Sequence, residues 1–448
     1  MAGAGSTGKP SLLFEHIDLI DEGMAWRRDA FVGVRGDRIS YVGTGEPADA
    51  DAYDGRYDGR GRLLMPALYD AHAHAPMTLL RGYAENLPLQ SWLNDRVFPF
   101  EARITDRDAR WATDLAIAEM VRYGCVSFSD MYYCDDARCE SVRDAHVKCN
   151  VSRGLTAFGE TDYRKIKEYA ANEHLFSDWD GAAQGRIKAD MCIHAEYTNN
   201  EPVCRAVAER TRELGAIMHV HVSETASEVE GCRERHQGRS PVEFLADCGV
   251  FDSPTVAAHC VWVDEADMDI LQEHGVTVAC NPASNMKLAS GFAPVPRMLE
   301  RGMRVALGTD GPASNNAHDM FRDMYLLATV YKGSSKDPSV VTPAQALRAA
   351  TRAGALAQGR DDCGLVREGF KADLCVLDTS GPSMWPVTDM LANLVYSATG
   401  AEVVLTMCDG VVVYRDGEWP TIDVERAKAG TQAATERIRA ELAQGGAR

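Results

Sequence analysis

Eight short β-type runs, each followed by a helical stretch, constrain this chain more than any other feature. They read PALYDAHAH, GCVSFSDM, VKCNVSRGL, IKADMCIHAE, AIMHVHVSE, PTVAAHCVW, VTVACNP and RVALGTDG, and they fall between about residues 67 and 362. The intervening segments, such as DRDARWATDLAIAEMVRYG and NEPVCRAVAERTRELG, are longer and helical in pattern. Such alternation predicts a parallel sheet, and eight is the strand number at which that sheet closes into a (β/α)8 TIM barrel, an α/β fold. Each run ends in a polar or ionisable residue: His74, Asp130, Arg153, His194, His221, His259, Asn281 and Asp310. In a barrel those ends surround one mouth, where active sites are built. The competing architecture, a doubly wound open sheet, would carry a Gly-rich phosphate turn after its first strand, and this sequence has none.

The flanks have a different texture. Residues 11 to 66 alternate apolar runs with turn signals, as in LLFEHIDLI and AFVGVRGDRISYVG, and predict short antiparallel strands. The same texture returns in ADLCVLD and VVLTMCDGVVVYRDGEW, where Asp409-Gly410 and Asp416-Gly417 supply hairpin-type turns. Both ends together are expected to form one small domain, dividing the chain into 1–66, 67–362 and 363–448. From Asp423 as N-cap, the last segment predicts a terminal helix packed on the surface.

Composition narrows the function classes. Lys and Arg number 47 against 66 Asp and Glu, a formal charge of −19, with 45% apolar residues and pI near 5.1. Disordered and fibrous classes are excluded. Nucleic-acid polymers and anionic membranes, held chiefly by clustered cations, are poor partners for such a surface, so a nucleotide-like substrate is expected to be small. Thirteen Cys without a C-x-x-C pair read as reduced, buried thiols. The opening MAGAGSTGKPS lacks the apolar stretch of a signal peptide, and no run of apolar residues is long enough to span a bilayer, so a cytoplasmic protein is expected, with homo-oligomerisation left open.

His72 and His74 stand two apart at the end of the first run, so on a strand their side chains point the same way. Alone the pair fits two ordinary strand histidines. With His219 and His221 on the fifth run, His259 ending the sixth and Asp310 ending the eighth, it fits a divalent ion of the zinc class with a coordination position left for water. Spacing does not choose between His219 and His221. Other metal and nucleophile signatures are absent: no P-C-x-x-C follows the His194-Ala195-Glu196 triplet, and no H-E-x-x-H, P-loop or G-x-S-x-G occurs. Cys260 and Cys280 read as small buried hydrophobes.

The run from Asp70 to Gly82 (DAHAHAPMTLLRG), followed by HVHVSET, AAHCVW, NPASNMKL and LGTDGPASNN, resembles the amidohydrolase superfamily, and within it the 5′-methylthioadenosine/S-adenosylhomocysteine deaminases. The resemblance spans about residues 62 to 423, including the closing WPTID. It implies a metal-dependent barrel beside a small β-sandwich made from both chain ends. It makes His72, His74, His221 and Asp310 the ligands of one divalent ion, zinc first and iron or manganese as alternatives, with His219 a strand neighbour. No early strand ends in a Lys where a carboxylated lysine would bridge two ions. Glu224 corresponds to the proton shuttle, and His259 to the histidine that holds the attacking hydroxide. Trp92 and Glu101 correspond to nucleoside contacts, Glu101 at the ribose. Arg153 and Arg164 correspond to arginines near an amino-acid tail, and His194 to a substrate-binding histidine. The implied reaction converts 5′-methylthioadenosine or S-adenosylhomocysteine, and adenosine with them, to the inosine analogue and ammonia. The alternative is another heterocycle (guanine, cytosine or a pterin) or a triazine on the same scaffold. Where the family usually has Ser-Pro after the strand-four histidine, this chain has Ala195-Glu196, which is expected to add a carboxylate to the mouth and repel a substrate carboxylate.

Overall fold

In the computed structural model, which describes residues 11–445, eight strands run in parallel order around the centre: Leu68–Ala73, Cys125–Tyr132, Lys148–Arg153, Ile187–Ile193, Met218–Val222, Thr255–His259, Thr277–Cys280 and Val305–Leu307. The first and eighth meet where the Asp310 N–H donates to the His72 carbonyl at 2.8 Å, with Ala73 and Asp310 paired in parallel, so the barrel closes at the C-terminal ends of its strands. The strands are buried on both faces, which is why CVSFSDMY and MHVHV tolerate almost no exposed position. The crossover helices start and stop on local signals. Asp106–Arg122 opens with a reciprocal Thr105/Asp108 capping box, and Glu201–Leu214 opens on Asn200 and ends at Gly215, whose φ of 62° suits the left-handed cap. The helical turn around Ala353 and Ala357 sits flush on alanines of three strands (Ala71, Ala279 and Ala306). Gly354 permits that approach: a Cβ there would stand 2.3 Å from the Tyr69 carbonyl oxygen.

Both chain ends build the small β-sandwich. Its sheet runs Val411–Arg415, Val403–Cys408, Leu374–Asp378, Arg62–Pro66, Ser11–Ile20, Trp26–Arg35 and Arg38–Gly43, with Gly55–Asp58 added beside Ser11–Ile20. Phe14, Ile17, Leu19, Val32, Leu64, Val376 and Leu405 form its core. The expectation of short antiparallel strands holds for most of the sheet and is corrected at one strand, because Ser11–Ile20 pairs antiparallel with Trp26–Arg35 but in parallel with both Gly55–Asp58 and Arg62–Pro66. After the Trp26–Gly43 hairpin, the connection 44–54 returns the chain to the start of Ser11–Ile20, where Gly55 pairs with Leu12, a long-range arrangement that local patterning does not encode. The terminal helix, Val424–Gly445, does more than cover the surface: its Ala434 and Ile438 pack with Met77, Leu80, Trp92 and Phe100, and Thr435 donates to the Leu79 carbonyl at 2.9 Å. It thus braces a segment that lines the mouth. No helix among the described residues is long and apolar enough to cross a membrane, and the cysteines are all free, only Cys134 being other than buried.

The sandwich is fastened to the closed end of the barrel by a buried charge cluster. Lys148, starting the third strand, places Nζ 2.5 Å from Asp373 Oδ1 and 2.7 Å from Asp409 Oδ1, and the Tyr69 hydroxyl also donates to Asp373. Burial opposes the charges, but the carboxylates hold the ammonium protonated and Lys148 in turn keeps Asp373 below the usual carboxylate range. Lys148→Met leaves the buried Asp373 without its cation, while Asp409 keeps Lys371 at 3.7 Å, and is expected to cost about 3–5 kcal/mol, read as a lower denaturant midpoint. A loss under about 1 kcal/mol would mean that water reaches the two carboxylates and the cluster is not the fastener described.

Candidate active site

The strand ends turn into the mouth through left-handed backbone at Ser223 (φ 50°), His259 (73°), Cys260 (46°) and Asp310 (60°). For residues with a Cβ that conformation is strained, and here it swings the His259 and Asp310 side chains across the barrel axis. Gly308, just before Asp310, has room for no Cβ: it would lie 2.3 Å from Asn281 Oδ1 and 3.0 Å from the His72 carbonyl.

Asp310 Oδ1 stands 3.1 Å from His74 Nε2 and 3.4 Å from His72 Nε2, and His221 Nε2 is 3.4 Å from His74 Nε2. The donor atoms of His72, His74 and His221, and likewise those of His72, His259 and Asp310, all lie within 4.8 Å of one another. The backs of these rings are fixed. His74 Nδ1 donates to the Met131 carbonyl at 2.5 Å and His221 Nδ1 to the His194 carbonyl at 2.7 Å; since a carbonyl only accepts, both lone pairs lie on Nε2, facing the cluster. His72 Nδ1 is 2.8 Å from His219 Nε2, one step deeper on the fifth strand, while His72 Nε2 is buried with no hydrogen-bond partner among the described residues. Burial holds His72 neutral, down to about 3, and pushes His221 well below the usual imidazole range. Against the cost of burial, His72 and His74 keep Asp310 ionised, and Asp310 raises His74. Its other oxygen, Oδ2, accepts from Ser284 Oγ (2.6 Å) and Ser314 Oγ (2.9 Å). Neutral imidazole lone pairs, one anchored carboxylate and an orphaned buried nitrogen fit a divalent cation.

Beside this cluster, Glu224 Oε2 lies 3.8 Å from His259 Nε2, and Glu224 Oε1 accepts from Ser290 Oγ at 3.2 Å. Burial raises its carboxyl, His259 pulling the other way and Asp310 adding to the rise. His259 Nδ1 is held by Asn285 Oδ1 at 2.9 Å. A cavity opens over His74, His221, His259, Glu224 and Asp310, and its lining includes the apolar Leu89, Trp92, Leu93, Val97, Phe98 and Leu288. Trp92 is buried and its indole Nε1 has no partner among the described residues. Glu101 and His194 form the sides; burial pushes Glu101 up to about 7 and His194 down to about 4. With the strand-end geometry described, residues 63–413 match the model of the amidohydrolase family.

The chain belongs to the amidohydrolase family. A 5-methylthioadenosine/S-adenosylhomocysteine deaminase of Syntrophomonas wolfei is 40% identical over 393 residues, covering 87% of this chain and 90% of the relative. A 5′-deoxyadenosine deaminase of Methanothermobacter thermautotrophicus is 39% identical over 414 residues, covering 92% and 95%. Among solved structures, an adenosine deaminase from Xanthomonas campestris with bound zinc superimposes at a TM-score of 0.90 with 30% identity, over 97% of this chain and all of that one.

In this amidohydrolase the residues expected to meet a substrate tail separate. Arg153 lies in a larger cleft that shares Phe98, Glu101, Tyr132 and Tyr133 with the first cavity, and its Nη1 is paired with Asp135 Oδ2 at 2.8 Å. Arg164 is brought to neither cavity; it is exposed and lines a different surface cleft with Glu209 and Arg210. The expected extra carboxylate at the mouth is a correction: Glu196 is 1% exposed, is not among the residues lining the cavity, and is bonded to Arg235 (2.6 Å) and His236 (2.7 Å). Sequence reasoning missed Glu228, whose carboxylate accepts from the N–H groups of Ser223 (2.9 Å) and Glu224 (2.7 Å) and so fixes the turn that aims Glu224. It also missed the buttresses Ser284, Asn285 and Ser314, although all three lie inside the quoted motifs NPASNMKL and LGTDGPASNN.

Proposed function

We propose that this amidohydrolase is a metal-dependent hydrolytic deaminase of adenine nucleosides altered at C5′, releasing ammonia and the inosine analogue from 5′-methylthioadenosine or S-adenosylhomocysteine. One observation carries the reading: one cavity is lined together by members of the His/Asp cluster, the buried Glu224, Glu101 and an apolar set that includes Trp92 and Phe98. An adenine ring laid against Trp92 and Phe98 presents its amino-bearing edge to the cluster and its ribose to Glu101. The relatives named for nucleoside deamination support it. The barrel, 67–362, carries the chemistry, and 1–66 with 363–448 support it.

His72, His74, His221 and Asp310 would hold the ion, zinc in the first instance. When bound, it supplies Lewis acidity that lowers the pKa of water from about 15.7 to about 7. Attack at C6 requires a proton on ring N1 and another on the departing amine. Glu224, its carboxyl raised by burial, gives the first. Asp310, kept ionised by His72 and His74, takes a proton from the incoming water and returns it to the amine. His259 Nε2, fixed from behind by Asn285, orients that water. The apolar wall excludes the rest.

Ammonia release over a panel of adenine nucleosides, guanine, cytosine, pterins and triazines tests the reading. The 5′-modified adenine nucleosides are expected to be turned over fastest, by protein carrying about one equivalent of zinc, iron or manganese. Faster turnover of a free base or a triazine would replace this reading by the alternative on the same scaffold.

A further inference from the structure

The larger cleft contains a buried carboxyl group that the proposed deamination does not use. Glu168, the first residue of the helix Glu168–Trp179, is 1% exposed, and neither carboxylate oxygen has a hydrogen-bond partner among the described residues. Its one recorded cation is Lys167 Nζ, 3.4 Å from Oε1 on a side chain that is 81% exposed and so largely given to water. A carboxylate at the start of a helix gains from the macrodipole, but that role is ordinarily completed by accepting from backbone N–H groups, and Glu168 accepts from none. Withdrawing such a group from water without a partner is costly, so its placement on the wall of a cleft calls for a cationic guest.

The surroundings point to the same charge. Glu101, Asp106, Asp135, Asp136, Glu160 and Glu168 line the cleft against only Arg153, Lys165 and Lys167 besides His174. Of those cations, Arg153 is committed to Asp135, and Lys165 lies 3.4 Å from Asp162. Tyr133 stands between the two ends: its phenol is raised by burial and then by the negative charges of Glu101 and Glu168. Glu101 lines both cavities, so a nucleoside whose ribose meets Glu101 sends its 5′ substituent past Tyr133 toward Glu168.

We propose that Glu168 is the receptor for a positively charged 5′ substituent, a primary ammonium on an alkylthio tail, and that the cleft discriminates against a tail whose only charge is a carboxylate. The inference rests on the nucleoside-deaminase reading above and extends it: a zwitterionic amino-acid tail is accepted through its ammonium, with Arg153 already neutralised.

Two synthetic probes decide it, 5′-(3-aminopropylthio)-5′-deoxyadenosine and 5′-(3-carboxypropylthio)-5′-deoxyadenosine, each compared with 5′-methylthioadenosine. In the zinc-loaded wild type, kcat/KM for the amine tail is expected to exceed that for the carboxylate tail by about tenfold or more, the scale of one hydrogen bond to a charged group. Glu168→Gln should shrink that ratio to within about threefold, and Glu168→Arg should invert it. Equal or reversed preference in the wild type overturns the proposal, as does a Gln variant that slows both tails alike and leaves their ratio intact. If methylthioadenosine itself is not deaminated, the proposed function fails. Calorimetric binding of the two probes to the same protein then judges Glu168 alone, and equal affinity overturns it.

Discussion

Glu224→Gln is expected to leave the ion bound and the fold intact while lowering kcat by about 10²- to 10⁴-fold, the usual contribution of a positioned acid or base. Gln keeps the shape, and its carbonyl can still accept from Ser290, as Glu224 Oε1 does at 3.2 Å. The turn is held independently, through Glu228 and the N–H groups of residues 223 and 224, so the substitution need not move it. What Gln lacks is a proton to deliver to the ring. The stability signature has the opposite sign. Burial raises the Glu224 carboxyl above its unfolded value, so this group's contribution is greatest in acid and is lost as pH rises through the folded pKa. The Tm of the variant relative to wild type should therefore climb as pH rises above the usual carboxylate range. Near-normal kcat would return Glu224 to the status of a buried structural carboxylate.

The convergence of strand ends was legible in the sequence because a barrel translates chain order into position: the runs ending in His74, His194, His221, His259 and Asp310 deliver those residues to one cavity, while Asp130 and Asn281 stay fully buried outside its lining. Depth was not legible. His219 and His221 share a strand face, and only the closed barrel reveals that His219 reaches His72 Nδ1 from below while His221 Nε2 faces His74. Partners distant in sequence were equally hidden. Glu196 reads as a mouth carboxylate until Arg235 and His236, some forty positions on, fold against it. Glu228 looks like any solvated helix glutamate, since nothing local distinguishes one that caps its own preceding turn. Arg153 and Arg164 differ for a similar reason: the first ends a strand and must face the mouth, whereas the second sits in the short turn Tyr163–Lys165 of a long connection, whose direction no periodicity sets. The parallel pairing of Ser11–Ile20 with Arg62–Pro66 depends on the chain returning after a hairpin, and alternating patterns carry no information on that return.

His72→Asn is expected to remove the ion and, with it, turnover. His72 is fully buried, its Nδ1 is engaged by His219 at 2.8 Å, and its Nε2 lies 3.4 Å from Asp310 Oδ1 without a hydrogen-bond partner among the described residues. Burial lowers the imidazole to about 3, so near neutral pH it can offer its Nε2 lone pair without first losing a proton. The Asn side chain is too short to span from the His219 ring to the Asp310 carboxylate. Dialysed variant should then retain less than about a tenth of an equivalent of metal, and its kcat should fall below about 10⁻³ of wild type, because the attacking water reverts toward its unassisted pKa. A readout independent of activity is available: ion at about 100 times its Kd should stabilise the wild type by about 2.7 kcal/mol and raise its Tm, while the variant should show no such rise. His219→Gln provides the contrast, since a residue acting behind the ligand should cost only about 10- to 100-fold in affinity. If His72→Asn instead kept a full equivalent of ion and its thermal response, the ion would have to be held by His74, His221, His259 and Asp310 without His72, and the buried Nε2 would need another explanation.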